Sequence, residues 1–189
     1  MIGRYVDCFR AEHVWAMPVV AETYDGSLND INALHVTPEH ALAALADARS
    51  GPVAEGSSGG GNGMIAYGFK GGTGTASRLV EAGGRGFVRG ALVQANHGQR
   101  SWFQVLGRPV GALMPLVEEP RERGSIIVIL ATDAPLSALS LRHLARRAGM
   151  GVARGGTPGG IRRAITSLRF RLPRVSRCRI TVRSGGWRS

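Results

Sequence analysis

The chain has 189 residues, 43% apolar and 20% charged, enough for one domain with a real core and too few for two large ones. That composition excludes wholesale disorder, and no apolar run approaches the ~18 residues that a membrane-spanning helix needs. The net charge of +11 is uneven: residues 1–133 hold 11 basic and 13 acidic groups, whereas residues 134–189 hold 13 Arg and no acid, so the chain is not basic throughout as nucleic-acid binders commonly are.

The N-terminal string MIGRYVDCFRAEHVW has no uninterrupted apolar core and does not resemble a signal peptide. Cys8 and Cys178 make no disulfide framework and read as reduced thiols of a cytoplasmic protein. WAMPVVAE (15–22) is a strand or an extended segment, and YDGSLNDIN (24–32) has turn chemistry. Thr37-Pro38-Glu39 predicts a helix start, with a hydroxyl at the cap, Pro at the first helical position and an acid in the first turn. That helix runs through ALAALADARS and stops before Gly51-Pro52.

EGSSGGGNG (55–63) is a glycine loop, MIAYGFK (64–70) a short strand, and GGTGTAS (71–77) a second glycine loop. GFVRGALVQAN (86–96) predicts a buried strand ending at a polar Asn, and WFQVLGRPVGAL (102–113) a hairpin turning at Gly107-Arg108-Pro109. VEEPRERG (117–124) is an exposed charged loop that runs directly into SIIVILAT (125–132), an unbroken β-branched stretch typical of a strand covered on both faces. Asp133 and Pro135 open a helix over 136–151, with Leu136, Leu139 and Leu144 on one face. Interleaved strands and helices give the α/β class. Beyond Gly155, RFRLPRVSRCRITVR alternates Arg with apolar residues but carries no acid, helix cap or hairpin signal.

The glycine loops do not bind phosphate by any known spacing. Lys70, the one Lys of the chain, precedes the glycines, and neither loop fits G-x-G-x-x-G between a strand and a helix. His13, His35, His40, His97 and His143 are scattered without metal-ligand spacing, so no metal is expected. The junction Gly124-Ser125 is sharper. Gly tolerates strained backbone, and Ser carries a hydroxyl beside its own preceding carbonyl. Such a pair can undergo an N-to-O acyl shift and cleave itself, which frees an α-amine of pKa about 7.7–8.0 to act as base for the hydroxyl. Taken alone the pair is also what an ordinary turn before a strand looks like.

The strings PVVAETYDGSLNDIN (18–32), GPVAEGSSGGGNGMIAYGFKGGTGTASR (51–78), ALVQANHGQR (91–100) and RGSIIVILATDAPL (123–136) resemble the DmpA-type aminopeptidases, also described as L-aminopeptidase/D-amino-acid esterase-amidases, relatives of the β-peptidyl aminopeptidases. The resemblance covers roughly residues 5–157 in order and implies a four-layer α/β/β/α sandwich. It further implies a self-processing serine hydrolase that releases N-terminal amino acids from peptides, amides and esters. Such an enzyme uses no metal or other cofactor and assembles as a homo-oligomer of α/β pairs. The position matching the family nucleophile is Ser125, with Gly124 supplying the cleaved carbonyl. Asn96 matches an Asn whose amide stabilises the oxyanion, and Tyr24 a Tyr that lines the active site.

The resemblance also carries departures. Family chains begin well upstream of residue 1 and continue beyond GVAR (151–154) to a Ser-Gly-acid motif, where this chain has GGIRRAITS. Residues 1–157 therefore read as a partial, incomplete aminopeptidase domain, with an α-subunit part over 1–124 and the start of a β-subunit over 125–157. Residues 158–189 read as a basic tail, out of frame after about Gly160, and the chain as an impaired fragment. Two other functions compete: a nucleic-acid-binding module built on the Arg-rich tail, whose two aromatics, Phe170 and Trp187, make no stacking platform, and an acyltransferase of the ornithine acetyltransferase kind, which uses Thr where this chain has Ser125. Neither nucleic acid nor a membrane is expected as a partner.

Overall fold

A computed structural model of the chain describes residues 20–115 and 124–158, together with the backbone of residues 166–171. They group into two compact units, one containing residues 31–52 and the other residues 21–30 and 53 onward. In the first unit a 3-10 turn, Ile31–Ala33, precedes α1, Pro38–Ala46. Thr37 caps it in extended conformation, its N–H donating to His40 Nδ1 at 3.0 Å, and the Thr37 hydroxyl holds the Glu39 carboxyl below its ordinary pKa. The start is where Thr37-Pro38-Glu39 predicts it. The end comes early, at Ala46 with Asp47 as C-cap, well before Gly51-Pro52.

In the second unit β1 (Ile65–Ala66) and β2 (Phe69–Lys70) form a miniature antiparallel pair turning through Tyr67 and Gly68. A four-stranded sheet follows in the order β3, β4, β5, β6: Gly72–Ala82, Arg85–Asn96, Ser125–Thr132 and Thr166–Arg171. The first three strands are antiparallel neighbours, and β6 lies parallel to β5. Between β5 and β6 come α2 (Ala138–Arg146) and α3 (Ala148–Ala153). The α/β class is thus as expected, and no helix among the described residues is long and apolar enough to cross a membrane.

Several elements differ from the sequence expectation. GGTGTAS is not a loop but the first half of β3, paired residue by residue with β4 and turning back at Gly83-Gly84, both at positive φ as a two-residue hairpin turn demands. Its glycines serve contact: a Cβ on Gly72 would meet the Gly56 carbonyl oxygen at 2.2 Å, and the two backbones exchange hydrogen bonds through Gly56 and Thr73. MIAYGFK is two short strands rather than one. The segment 102–113 holds only an isolated bridge between Val105 and Arg108, flanked by 3-10 turns at Arg100–Trp102 and Val110–Leu113.

The helix expected over 136–151 is split at Arg147 and begins after Ser137, whose hydroxyl accepts from the Ser140 N–H at 3.1 Å. Leu141 is its buried residue and Leu139 is exposed, so the face turned to the protein is not the expected face of Leu136, Leu139 and Leu144. β6 falls in a stretch to which the sequence assigned no element; its alternating pattern fits period two. The charged loop before Gly124, the segment 15–19 and both cysteines lie outside the described residues. β5 is buried as its composition predicts, with Ile126 2% and Val128 4% exposed.

Candidate active site

The sheet register builds the site. β4 ends at Asn96 and β5 begins at Ser125, and these two residues are directly paired across the ladder. Directly opposed residues project their side chains to the same face, so the Asn amide and the Ser hydroxyl are neighbours by construction. Both are buried, Ser125 at 5% and Asn96 at 7% exposure. Gly124, half-buried, enters the strand immediately before the hydroxyl.

Asn96 Nδ2 donates to Ser125 Oγ at 3.3 Å and to the Tyr24 carbonyl at 2.6 Å, while Asn96 Oδ1 accepts the Ile65 N–H at 2.9 Å. The amide is therefore held at both ends, and turning it over would set Nδ2 against the Ile65 N–H. The Tyr24 N–H donates to Ser125 Oγ at 3.1 Å. Two N–H dipoles thus point at one buried hydroxyl oxygen. Water is largely kept away there, so the dipoles favour negative charge on that oxygen more strongly than they would in solvent.

Local sequence explains how Tyr24 arrives. The turn after it is closed by the Asp25 carbonyl, which accepts from Leu28 and Asn29, and by an Asn29–Asp25 side-chain bond of 2.8 Å. Thr23 is tethered through its hydroxyl to Met64 Sδ at 3.0 Å, and it accepts from the Gln94 amide. Residue 24 reaches Oγ with its main chain. Its side chain is 49% exposed and folds back over Gly26, where a Cβ would fall 2.6 Å from the phenolic oxygen.

The structure brings together Ser125, Asn96 and Tyr24, three residues singled out in the sequence, with Gly124 in line. It adds a second buried cluster that sequence reasoning passed over. Thr157 (2% exposed), His97 (6%) and Tyr67 (8%) meet where the Thr157 hydroxyl bonds the Tyr67 hydroxyl at 2.8 Å and His97 Nδ1 at 2.9 Å. The Tyr67 ring stands edge-on to His97 and leans against Phe103. In the sequence His97 is one of five scattered histidines without metal-ligand spacing. The signal that could have found it is its place directly after Asn96, at the end of a buried strand.

The chain matches peptidase family S58 over residues 6–163. It is 52% identical to the β-peptidyl aminopeptidase BapA of Sphingosinicella microcystinivorans, an alignment that takes in 77% of this chain and 41% of that protein. The chain therefore spans about two-fifths of the length of the curated relatives it matches. Among solved structures, the L-aminopeptidase D-Ala-esterase/amidase of Ochrobactrum anthropi superposes with a TM-score of 0.74 at 57% identity, covering 85% of this chain and 44% of that one. A β-aminopeptidase of a Burkholderia species gives 0.75 at 46% identity, covering 89% and 46%. The Ochrobactrum enzyme is described as a prototype serine aminopeptidase and a new variant of the Ntn hydrolase fold.

Proposed function

The chain belongs to peptidase family S58, and on that premise we propose that Ser125 is the nucleophile of a self-processing serine aminopeptidase. The observation that carries the reading is the hydroxyl itself. It is buried, it is the first residue of β5, and it accepts from Asn96 Nδ2 and the Tyr24 N–H.

In the processing step Ser125 Oγ attacks the Gly124 carbonyl carbon. The new C–O bond forms, the C–N bond to Ser125 breaks, and the hydroxyl proton passes to the departing nitrogen. Water then hydrolyses the ester, leaving a Gly124 carboxylate and a free α-amine on Ser125. That amine titrates near neutral pH and takes the Oγ proton when the hydroxyl attacks a substrate.

An incoming peptide, amide or ester then donates its N-terminal aminoacyl group to Oγ. Its leaving amine or alcohol takes the proton back, and water releases the amino acid. The Asn96 amide is the donor suited to the developing oxyanion, a contribution of about 3 kcal/mol to the barrier for donors of this kind. Tyr24 adds its N–H at the nucleophile. Residues 1–124 and 125–157 would be the α part and the beginning of the β part of the cleaved protein.

Intact mass spectrometry of the expressed chain tests the first half: two polypeptides divided between Gly124 and Ser125 support the proposal, and a single uncut chain removes self-processing. Release of p-nitroaniline from amino-acid p-nitroanilides tests the second half. The acyltransferase alternative would require transfer of the acyl group to an amine acceptor in preference to water, which the same assay reads when an acceptor is added.

A further inference from the structure

We propose that Thr157 is a positioning residue for the Ser125 centre, acting through Tyr67 and His97 to hold the Asn96 amide in its donating orientation. The inference rests on the reading of Ser125 as nucleophile and Asn96 as its donor. It concerns Thr157, whose hydroxyl bonds Tyr67 and His97.

The contacts around Asn96 close into a ring. Asn96 and His97 are consecutive, so whatever fixes the His97 backbone and ring fixes the frame from which the Asn96 side chain springs. Facing them is the segment from Ile65 to Tyr67. The Ile65 N–H holds Asn96 Oδ1 at 2.9 Å, and the Tyr67 N–H holds the His97 carbonyl at 3.0 Å. The Ile65 contact decides which end of the amide faces Ser125. Residue 67 must stay in register for Ile65 to reach, and it is held by its backbone N–H and by its side chain.

That side chain is anchored by Thr157. Its hydroxyl bonds both Tyr67 Oη and His97 Nδ1, at 2.8 and 2.9 Å. With one proton on each hydroxyl, the chain has a direction: Tyr67 donates to Thr157 and Thr157 to His97 Nδ1, or the protons run the other way with Nδ1 donating.

The surroundings are cut to this ring. A Cβ on Gly98 would lie 2.4 Å from the Tyr67 ring, and one on Gly155 would lie 2.7 Å from its hydroxyl. Tyr67 itself holds φ 52°, a left-handed backbone that costs a bulky L-residue energy and persists only where the surroundings over-determine it. Gly155 also accepts the Gln104 N–H at 2.9 Å, which ties the Thr157 loop to the chain following β4. A strained aromatic, two glycine approaches and a shared hydroxyl converge on the residue next to the oxyanion donor.

The test uses the full chain and two readouts. The first is the Asn96 side-chain amide resonance pair, identified by its disappearance in Asn96→Ala. Thr157→Val should move that pair, and Thr157→Ser should restore it. The second is the rate of division between Gly124 and Ser125, followed by intact mass. Thr157→Val is expected to slow it about tenfold, a cost in keeping with a sub-ångström misplacement of a catalytic group. Tyr67→Phe, which keeps the ring and loses only the hydroxyl, should slow it less, and Thr157→Ser should return most of the rate.

In an Asn96→Ala background Thr157→Val should then add less than about twofold, because the two substitutions act on one element. Equal slowing in both backgrounds, or an unmoved Asn96 resonance in Thr157→Val, overturns the proposal. If the parent chain does not divide at all, the self-processing proposal falls while the amide resonances still decide this one. Should Thr157→Val fail to fold, Tyr67→Phe supplies the same comparison.

Discussion

The two ends of the β3–β4 hairpin are built from similar residues and live in different environments. At one end β4 is sandwiched between β3 and β5, and the ladder from Arg89 to Asn96 is matched against Thr132 to Ser125. At the other end Thr132 and Asp133 still bond the Val88 backbone, and beyond it the described ladder is only β3 against β4, a two-stranded ribbon that closes at Gly83-Gly84. There Leu79 and Val88 are directly paired yet stand 69% and 49% exposed. At the site end, hydrogen bonds to Ser125 and Asn96 come from Tyr24 and Ile65, residues far away in sequence. The contrast teaches that strand pairing alone makes a ribbon. A buried hydroxyl with aligned donors needs a third strand and two remote segments closing over it.

The sharpest way to break the comparison is at Ser125. Ser125→Ala should abolish division of the chain and any p-nitroanilide turnover, a loss on the order of 10³-fold or more for removal of a nucleophile, while the melting temperature changes little. Persistence of either activity would move the chemistry elsewhere. Asn96→Ala comes next. Removing an oxyanion donor costs roughly 10²–10³ in rate, and here it also removes the partner of the part-buried Ile65 N–H, so a stability loss of about 1 kcal/mol should accompany it in a denaturant melt.

Packing should follow the same order. Ile126 is 2% exposed beside Ser125, and Ile126→Ala should destabilise by about 2–5 kcal/mol. Leu79→Ala at the ribbon end should stay within about 0.5 kcal/mol. Equal costs would mean that the ribbon is covered in solution by something outside the described residues. Tyr24→Phe separates backbone from side chain: because the described contact to Oγ runs through the N–H, division between Gly124 and Ser125 should stay within about threefold of the parent, whatever the hydroxyl does for later substrates.

What the sequence made legible follows the same divide. β5 was readable because an unbroken β-branched run has one stable home, between neighbours on both faces. The strand end at Asn96 and the Ser125 junction followed from polarity changing abruptly at the end of apolar runs. α1 was readable at its start, where Thr37, Pro38 and Glu39 act locally, and poorly at its end, where no Gly or Pro is needed to stop it at Asp47. β3 was misread because glycine reports turns when seen alone, while Gly72 serves a backbone contact with Gly56 that only the fold creates. The Tyr67–His97–Thr157 cluster was invisible for a related reason. Its members lie far apart in sequence, Thr157 being 60 positions from His97 and 90 from Tyr67, and no spacing rule joins them.

The smallest expected effect concerns the edge of the sheet near the site. The Glu55 carboxylate accepts from both the N–H and the hydroxyl of Thr75, at 2.8 and 2.5 Å, along the outer side of β3. Those two bonds stabilise the charged form and hold its pKa below the ordinary 4.5. A carboxyl depressed in the folded state contributes stability that is present above its unfolded pKa and is lost as pH falls through the lower, folded value. The parent should therefore lose a small increment on acidification below about 4.5 that Glu55→Gln lacks, with the two melting curves differing above that pH and converging below it. The group is fully exposed, so the difference should shrink further in high salt. A Glu55→Gln chain whose melting tracks the parent from neutral to acid would mean that β3 needs no help at this edge, and that the Gly56–Thr73 backbone exchange alone seals it.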